Sequence, residues 1–371
     1  MVYLDNSATT KPYAAVSALI AEQEQNNFAN ASALYRPAMA AEEGVVQAKQ
    51  AIASVLHCIP DEILLTSGGT YANNLAVLGA ADARKRMGNR IVLSAVEHPS
   101  VYACGAVLQE RGFDVVYAAP NAEAFEEAIN DKTIVVAAML VNNEVGSILP
   151  IEQIARIIKR KKAPAHFHVD GVQAFCKIPC NVSALKCDSF SISAHKLKGP
   201  KGIGALYLKK GVRVKNITVG GEQEKGIVPG TYNSPAAFGF AKAISLYQKE
   251  DLGRFEQLRA HFLERAKQLP FLQINSSPDG VPYILNVSCI GYLGENVLHY
   301  LEDKEIYVSQ GSACSSKKAR SQSVLARLGM NEQSVMGALR ISFSVDTTIE
   351  DVDRLMDALE CVPEKIQKMY R

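Results

Sequence analysis

No run of about eighteen or more uncharged apolar residues occurs in the chain, so no membrane-spanning helix is expected. There is also no excess of charge: the 40 Lys and Arg against 38 Asp and Glu leave a net +2. That balance gives no electrostatic footprint for nucleic acid or an anionic membrane. The opening "MVYLDNSATTKP" lacks a basic stretch followed by an apolar core. It does not read as a secretory signal, and the cytoplasm is the expected location. None of the 8 cysteines forms a CxxC pair, and no second pair completes a zinc pattern. Cys176 and Cys180, with His166 and His168, come nearest to a metal set, but packing is the usual role of such thiols. No metal is expected, and free thiols suit a reducing compartment. Repeats and low-complexity stretches are absent as well.

What is present is 371 residues with 48% hydrophobic content, more than one core ordinarily holds. From 62 to 173, strand-like runs alternate with helix-like ones. "EILLTS", "NRIVLSAVEH", "FDVVYAAP", "TIVVAAMLVNN" and "HFHVDGVQ" read as strands. Between them lie a glycine-opened helix from 68, "PSVYACGAVLQERG", "AEAFEEAIN", and "PIEQIARIIKRKKA" with an apolar face at Ile151, Ile154, Ile157 and Ile158. Such alternation implies right-handed crossovers and a mostly parallel sheet. "DSFSISAHK" and "IGALYLKK" follow with no helix between them, a hairpin-like pair that makes the sheet mixed. From about 250 the pattern changes to a second, α+β unit: "EDLGRFEQLRAHFLERAKQL", "YILNVSCI", "ENVLHYLEDKE", "ALRISFS" and a closing helix over 349–370. The expected organisation is a large α/β domain over 13–250, and a smaller one formed by 251–371 with 1–12.

Ligands of open α/β sheets collect at the carboxyl ends of the strands. Those ends carry "TSGGT" (66–70), His98, Asn142-Asn143, Asp170 with Gln173, and Ser193-His195-Lys196. Each has a bland reading: Asp170 as a turn acid, His98 as a helix cap before Pro99, Asn143 as a loop residue. Taken in order, they match the needs of pyridoxal 5'-phosphate. Its phosphate wants backbone N–H groups at a helix start and small hydroxyls, which Gly69, Thr70 and Ser193 supply, with His195 nearby. Its ring nitrogen needs a carboxylate to stay protonated, and Asp170 suits. His98 offers a stacking face, Asn143 or Gln173 a donor to the phenolic oxygen, and Lys196 the amine for the aldehyde.

The chain resembles the class V aminotransferase group of pyridoxal phosphate enzymes, most closely the cysteine desulfurases of the NifS/IscS type. The resemblance is carried by "YLDNSATTKP" (3–12), "TSGGTYANN" (66–74), "VEHPSV" (96–101), "VNNEVG" (141–146), "HVDGVQ" (168–173), "SAHKLKGPKGIG" (193–204), "GSACSS" (311–316) and "ALRISFS" (338–344). It implies the aspartate aminotransferase-like transferase fold. It implies that Lys196, rather than Lys198 or Lys201, bonds the cofactor, that Arg340 with Asn143 holds the substrate carboxylate, and that Cys314 accepts sulfur. It also implies that Thr231 reaches the cofactor phosphate of a neighbouring subunit, hence a homodimer. The implied substrate is L-cysteine. The implied sulfur acceptor is a partner protein such as an iron–sulfur scaffold or a tRNA-thiolation enzyme. The chain departs from the family pattern at Tyr35, where a histidine is usual, at Tyr71, where glutamate is usual, and at Val228, where arginine is usual. These departures bear on rate, substrate preference and partner choice.

Cys314 also stands out locally. "SQGSACSSKKARSQS" has almost no apolar residues, so a mobile, exposed loop is expected. Lys317, Lys318 and Arg320 would favour the thiolate. The expected reaction converts L-cysteine to alanine, leaving a persulfide on Cys314, with His98 moving protons. The alternatives are a selenocysteine lyase or another class V pyridoxal phosphate enzyme, and a degenerate paralogue kept for binding. A plain transaminase needs no such thiol.

Overall fold

The computed structural model describes residues 1–310 and 323–369. The chain divides into two compact units, one made of Met1–Thr10, Asn142–Ile148 and Glu250–Arg371, the other of Lys11–Val141 and Leu149–Lys249. The smaller unit takes its first strand, β1, from Val2–Tyr3.

The larger unit is built on seven strands: β2 (Ile63–Thr66), β3 (Arg90–Ser94), β4 (Asp114–Ala118), β5 (Thr133–Met139), β6 (His166–Asp170), β7 (Ser189–Ser193) and β8 (Gly204–Leu208). Their spatial order is β2-β8-β7-β6-β5-β3-β4. β4, β3, β5, β6 and β7 pair in parallel, whereas β8 is antiparallel to both β7 and β2. β8 therefore runs alone against the rest, because it joins β7 without a crossover helix. β2 runs with the majority, so its carboxyl end opens on the same edge as those of β3, β6 and β7. The α/β architecture with a mixed, mostly parallel sheet is thus observed as expected.

Its helices are α1 (Ala14–Asn26), α2 (Arg36–Leu56), α3 (Gly69–Arg84), α4 (Pro99–Glu110), α5 (Ala122–Ala128), α6 (Ile151–Arg160), α7 (Val182–Leu185) and α8 (Ser234–Tyr247). Every residue of β5 is buried, as a central parallel strand covered on both faces requires. α3 packs Val77, Leu78, Ala80 and Ala81 against Ile91, Leu93, Ile134 and Val135. It also packs Leu75 and Ala76 against Leu64 and Leu206. Full burial of such a Val, Leu or Ile side chain is worth about 1.5–3 kcal/mol, so the helix start at Gly69 rests on a rigid support. On α6, Ile151, Ile154 and Ile157 are buried and Ile158 is half-buried, the face its spacing implied.

β5 ends at Met139, short of the apolar run that the sequence extends to 143. Asn142 Oδ1 accepts the backbone N–H groups of Glu144 and Val145, both at 2.9 Å, and turns the chain there. Residues Asn142–Ile148 accordingly group with the terminal unit, whereas the boundaries drawn from sequence keep them in the larger one.

The terminal unit holds α9 (Arg254–Ala266), β9 (Leu272–Ile274), β10 (Ile284–Cys289), α10 (Gly294–Glu302), β11 (Ile306–Tyr307) and β12 (Ala338–Ser342). β12-β10-β9 form an antiparallel sheet, and β1 pairs in parallel with β11. The closing helix stops at Glu360, and a short turn, Val362–Lys365, follows it. Pro363 explains the break, since it brings no N–H to continue the ladder. Among the described residues, no helix is long and apolar enough to cross a membrane.

Candidate active site

Four strands deliver polar groups to one edge of the larger sheet. After β2 the chain turns through Gly68 into α3. A Cβ on Gly69 would lie 2.8 Å from Val172 Cγ2 and 3.6 Å from Ser193 Cβ, so the helix start sits tight against the ends of β6 and β7. Thr70 is exposed beside it, and Ser193 is 3% exposed. After β3 comes His98, the N-cap of α4, with Pro99 at the first helical position. The bland reading of His98 is therefore correct as far as it goes: Nδ1 accepts the Ser100 N–H at 3.2 Å. The ring itself is exposed, and it acts electrostatically on His195.

β6 ends in Asp170, 4% exposed. Its Oδ2 accepts from Asn73 Nδ2 at 2.7 Å and its Oδ1 from the Val172 N–H at 2.9 Å. Among the described residues Asp170 makes no ion pair. Gln173, also buried, lies in the turn that follows. β7 ends in Ser193 and passes into a single 3-10 turn, Ala194–Lys196.

The three lysines of "AHKLKGPK" separate clearly. Lys198 is buried with φ 58°, and its Nζ lies over the Tyr13 ring, 4.4 Å from the centroid. Lys201 is exposed. Lys196 is half-buried and acts electrostatically on both His195 and Lys177. Desolvation, then Lys196 and other nearby cations, hold His195 down at about 4. Desolvation first, and Lys196 second, push Lys177 down to about 7.

Arg340 and Asn143 belong to the terminal unit. Arg340, 5% exposed, gives Nη2 to Asp5 Oδ1 at 2.7 Å and Nη1 to the Asn143 carbonyl at 3.1 Å. Glu144 Oε1 lies 3.9 Å from Nη1. Asn143 Oδ1 is buried without a hydrogen-bond partner among the described residues. Thr231 does not join Thr70 and His98. Those two line a cleft of about 380 Å³ with Ser100 and Cys104, whereas Thr231 lines another of about 560 Å³ with Tyr71, Glu224 and Val228. Two of the family departures thus share the cleft of Thr231, and Tyr71 Oη bonds Thr218 Oγ1 there at 2.6 Å. His166 and His168 both hydrogen-bond Ser189 Oγ, at 2.7 and 2.9 Å, instead of forming a metal set with Cys176 and Cys180. Cys314 lies outside the described residues.

Sequence reasoning missed Asn73, Ser100, Glu97 and Lys177. Glu97, 2% exposed, accepts the Met139 N–H at 2.6 Å through Oε1, and its Oε2 has no hydrogen-bond partner among the described residues. Burial, reinforced by Asp170, raises its pKa well above the ordinary carboxylate value. Polar residues inside otherwise apolar helices were the available signal, as in "ANNLAVLGAA".

The sequence pattern of the family described as Aminotransferase class-V matches residues 2–355. The chain belongs to that family. Within it, the chain groups with NifS/IscS-like members. It is 36% identical over 378 residues to a protein named cysteine desulfurase IscS from Methanosarcina thermophila, covering 99% of this chain and 92% of that one. It is 34% identical over 381 residues to the protein of that name from Clostridium botulinum, covering 99% and 96%. A solved NifS-like protein superposes with a TM-score of 0.91 at 30% identity, covering 98% of this chain and 100% of that one. A structure described as SspA in complex with cysteine superposes at 0.81 with 31% identity, covering 92% and 99%. The class V fold is therefore this chain's fold.

Proposed function

We propose that the protein is a pyridoxal 5'-phosphate-dependent cysteine desulfurase, which converts L-cysteine to L-alanine and leaves the sulfur as a persulfide on Cys314. The observation that carries this reading is Asp170: a buried carboxylate with two neutral donors and no cation among the described residues, on the same sheet edge as Lys196. Such a site suits a protonated ring nitrogen. The residues fit the rest of the cofactor as well. A Cβ at Gly69 would crowd Val172 at 2.8 Å, so the start of α3 needs glycine to hold its N–H groups beside Ser193. Gly69, Thr70, Ser193 and His195 would hold the phosphate, Gln173 the phenolic oxygen and His98 the ring face.

When bound, the cofactor supplies an electron sink for the pair released at the substrate Cα. Arg340 and Asn143 hold the substrate carboxylate. Lys196, once freed, takes the Cα proton as a neutral amine. His98 carries a proton at Nε2 to or from the reacting groups. The Cys314 thiolate attacks the substrate sulfur: an S–S bond forms, the C–S bond breaks, and alanine leaves with the proton that balances it. Six of the seven described cysteines support the choice of Cys314. Burial pushes Cys58, Cys180 and Cys289 up to about 12 and Cys104 up to about 11, and it raises Cys176 and Cys187 too. Thiols held neutral in this way are poor nucleophiles.

The rest of the reading follows the family resemblance. The protein acts as a homodimer in which Thr231 completes the neighbour's phosphate site. It works in the cytoplasm and hands sulfur to an acceptor protein of iron–sulfur assembly or tRNA thiolation. The test is alanine and sulfide release from L-cysteine, with borohydride trapping and peptide mass analysis. The cofactor should be fixed on Lys196, one extra sulfur should appear on the Cys314 peptide, and Lys196→Ala should reduce turnover to background. Alanine release at the wild-type rate by Cys314→Ser would sink the mechanism, as would the extra sulfur on Cys104, Cys176 or Cys289. Preferential turnover of L-selenocysteine would favour the lyase reading.

A further inference from the structure

An amide buried inside α3 links two groups of the site that no sequence motif connects. Asn73 is 1% exposed. Its Nδ2 lies 2.7 Å from Asp170 Oδ2 and 2.8 Å from Ser100 Oγ, while its Oδ1 lies 3.0 Å from His168 Nε2 and 2.5 Å from Ser191 Oγ. A carboxylate has no proton to give, so the amide nitrogen must be the atom that faces Asp170. That requirement fixes the orientation of the amide and uses all of its capacity. Both N–H bonds donate, and the carbonyl accepts twice. Ser100 Oγ therefore receives a proton from Asn73 and has its own to give. Its neighbour is His98 Nδ1, at 2.8 Å. The same ring nitrogen faces the Ser100 backbone N–H at 3.2 Å. A nitrogen approached by a backbone N–H must present a lone pair, and the neutral imidazole then carries its proton on the other nitrogen.

We infer that Asn73 and Ser100 are positioning residues that tie the Asp170 carboxylate to His98 and hold the His98 proton on Nε2. The chain of donors runs one way, from His98 Nδ1 as final acceptor back through the Ser100 hydroxyl to the Asn73 amide. Donation from Asn73 polarises the Ser100 O–H and strengthens its bond to the ring. The chain also makes His98 a cap and a proton carrier at once, since Nδ1 serves the helix and Nε2 keeps the proton. The use of that proton in catalysis rests on the function proposed above, whereas the tautomer itself does not.

Ring-nitrogen NMR of the purified full-length protein, labelled with 15N-histidine, reads the tautomer without turnover. The His98 signals are assigned by their loss in His98→Gln. In the wild type, Nδ1 should resonate as an unprotonated acceptor and Nε2 as a protonated nitrogen. Ser100→Ala removes the shorter of the two Ser100 contacts to Nδ1, and the two resonances should move towards each other. Asn73→Ala should move them the same way by less, and Ser100→Thr, which keeps the hydroxyl, should restore the wild-type pattern. A protonated Nδ1 in the wild type overturns the inference, as does a Ser100→Ala spectrum unchanged from wild type. A shift in Ser100→Ala with none in a folded Asn73→Ala overturns the part given to Asn73. If Asn73→Ala does not fold, the two Ser100 variants still decide the tautomer. Failure to release alanine from cysteine, with the NMR pattern as stated, counts against the proposed function and leaves this inference standing.

Discussion

Asp170 and Arg340 are both buried and both charged, one in each unit, and their surroundings treat them differently. Asp170 is enclosed by neutral donors, the Asn73 amide and the Val172 N–H, and the buried Glu97 feels its charge. Its charge is solvated by protein dipoles but not cancelled. Arg340 already has an acid at 2.7 Å, Asp5, while its Nε has no hydrogen-bond partner among the described residues. Burying a charge costs several kcal/mol unless partners compensate, and the two units meet that cost by different routes. On the function proposed above, the Asp170 cage would receive a cation from outside the chain. Arg340 is paired within its own unit, so on the same reading an incoming carboxylate would share the guanidinium with Asp5 or displace it.

The sharpest break in this contrast is Asp170→Asn. The side chain keeps its shape but exchanges one acceptor oxygen for an NH2 group. Asn73 Nδ2 and the Val172 N–H both need an acceptor, so one of the two donors is left facing another donor. An unsatisfied buried donor costs about 1–3 kcal/mol, and the loss should appear as a lower unfolding free energy even without cofactor. Turnover should fall by on the order of a hundredfold to a thousandfold, as for the loss of a preorganised charge at a reacting centre. Wild-type stability together with wild-type turnover would mean that Asp170 is not the group the cage was built around.

The same cage requires neutral histidines. Burial lowers His168 to about 4 and holds His166 well below its ordinary value. His168 is 0% exposed, and its proton uptake differs between the folded and unfolded chains. Above about pH 6.5 the ring is neutral in both folded and unfolded chains and contributes nothing. Between about 6.5 and 4 the unfolded chain takes up a proton that the folded one refuses, so stability falls as pH falls. The share of His168 is on the order of 3 kcal/mol by pH 4. Urea unfolding at pH 7 and pH 4.5 should show that loss, and His168→Gln should flatten the dependence while lowering stability overall. An equal slope in wild type and variant would assign the acid sensitivity elsewhere.

Much of this was legible in the sequence, and the exceptions have physical causes. Strand ends could be read because Ser94, Asp170 and Ser193 close β3, β6 and β7 with polar groups, and because β7 and β8 have no room for a crossover helix. α2 was not delineated, because the face it buries is made largely of Ala38, Ala41, Gly44 and Ala48, which leave little contrast at helical spacing. The place of β2, next to β8, follows from a pairing distant in sequence, which local pattern does not encode. Asp170, His98 and Lys196 stood out as charged or titratable groups where strands stop. Asn73, Ser100 and Glu97 act from inside helices or behind the sheet, and their importance lies in which hydrogen bonds they complete. Distances expose that property, and residue types alone do not.

The smallest effect is expected at Asp5, and it tests the other half of the comparison. Asp5→Asn removes the charge beside Arg340 but keeps a carbonyl oxygen that can accept from Nη2. The segment does not depend on that ion pair for its position: Asn6 Nδ2 donates to the Ser342 carbonyl at 2.8 Å, and the Ser7 N–H donates to Ser342 Oγ at 2.8 Å. The guanidinium should therefore stay in place with one competitor fewer for an incoming carboxylate. Exchanging a charged acceptor for a neutral one changes a hydrogen bond by about 1 kcal/mol, so KM for the amino-acid substrate should fall by about two- to fivefold. The turnover number should hardly change, because the contact is the same in ground and transition states. If KM rises instead, Asp5 serves to orient Arg340 and does not compete with the substrate, and the two buried charges are then alike in being held by their surroundings. If neither constant moves, the substrate carboxylate does not meet Arg340, and the role assigned to that arginine by resemblance would pass to another group.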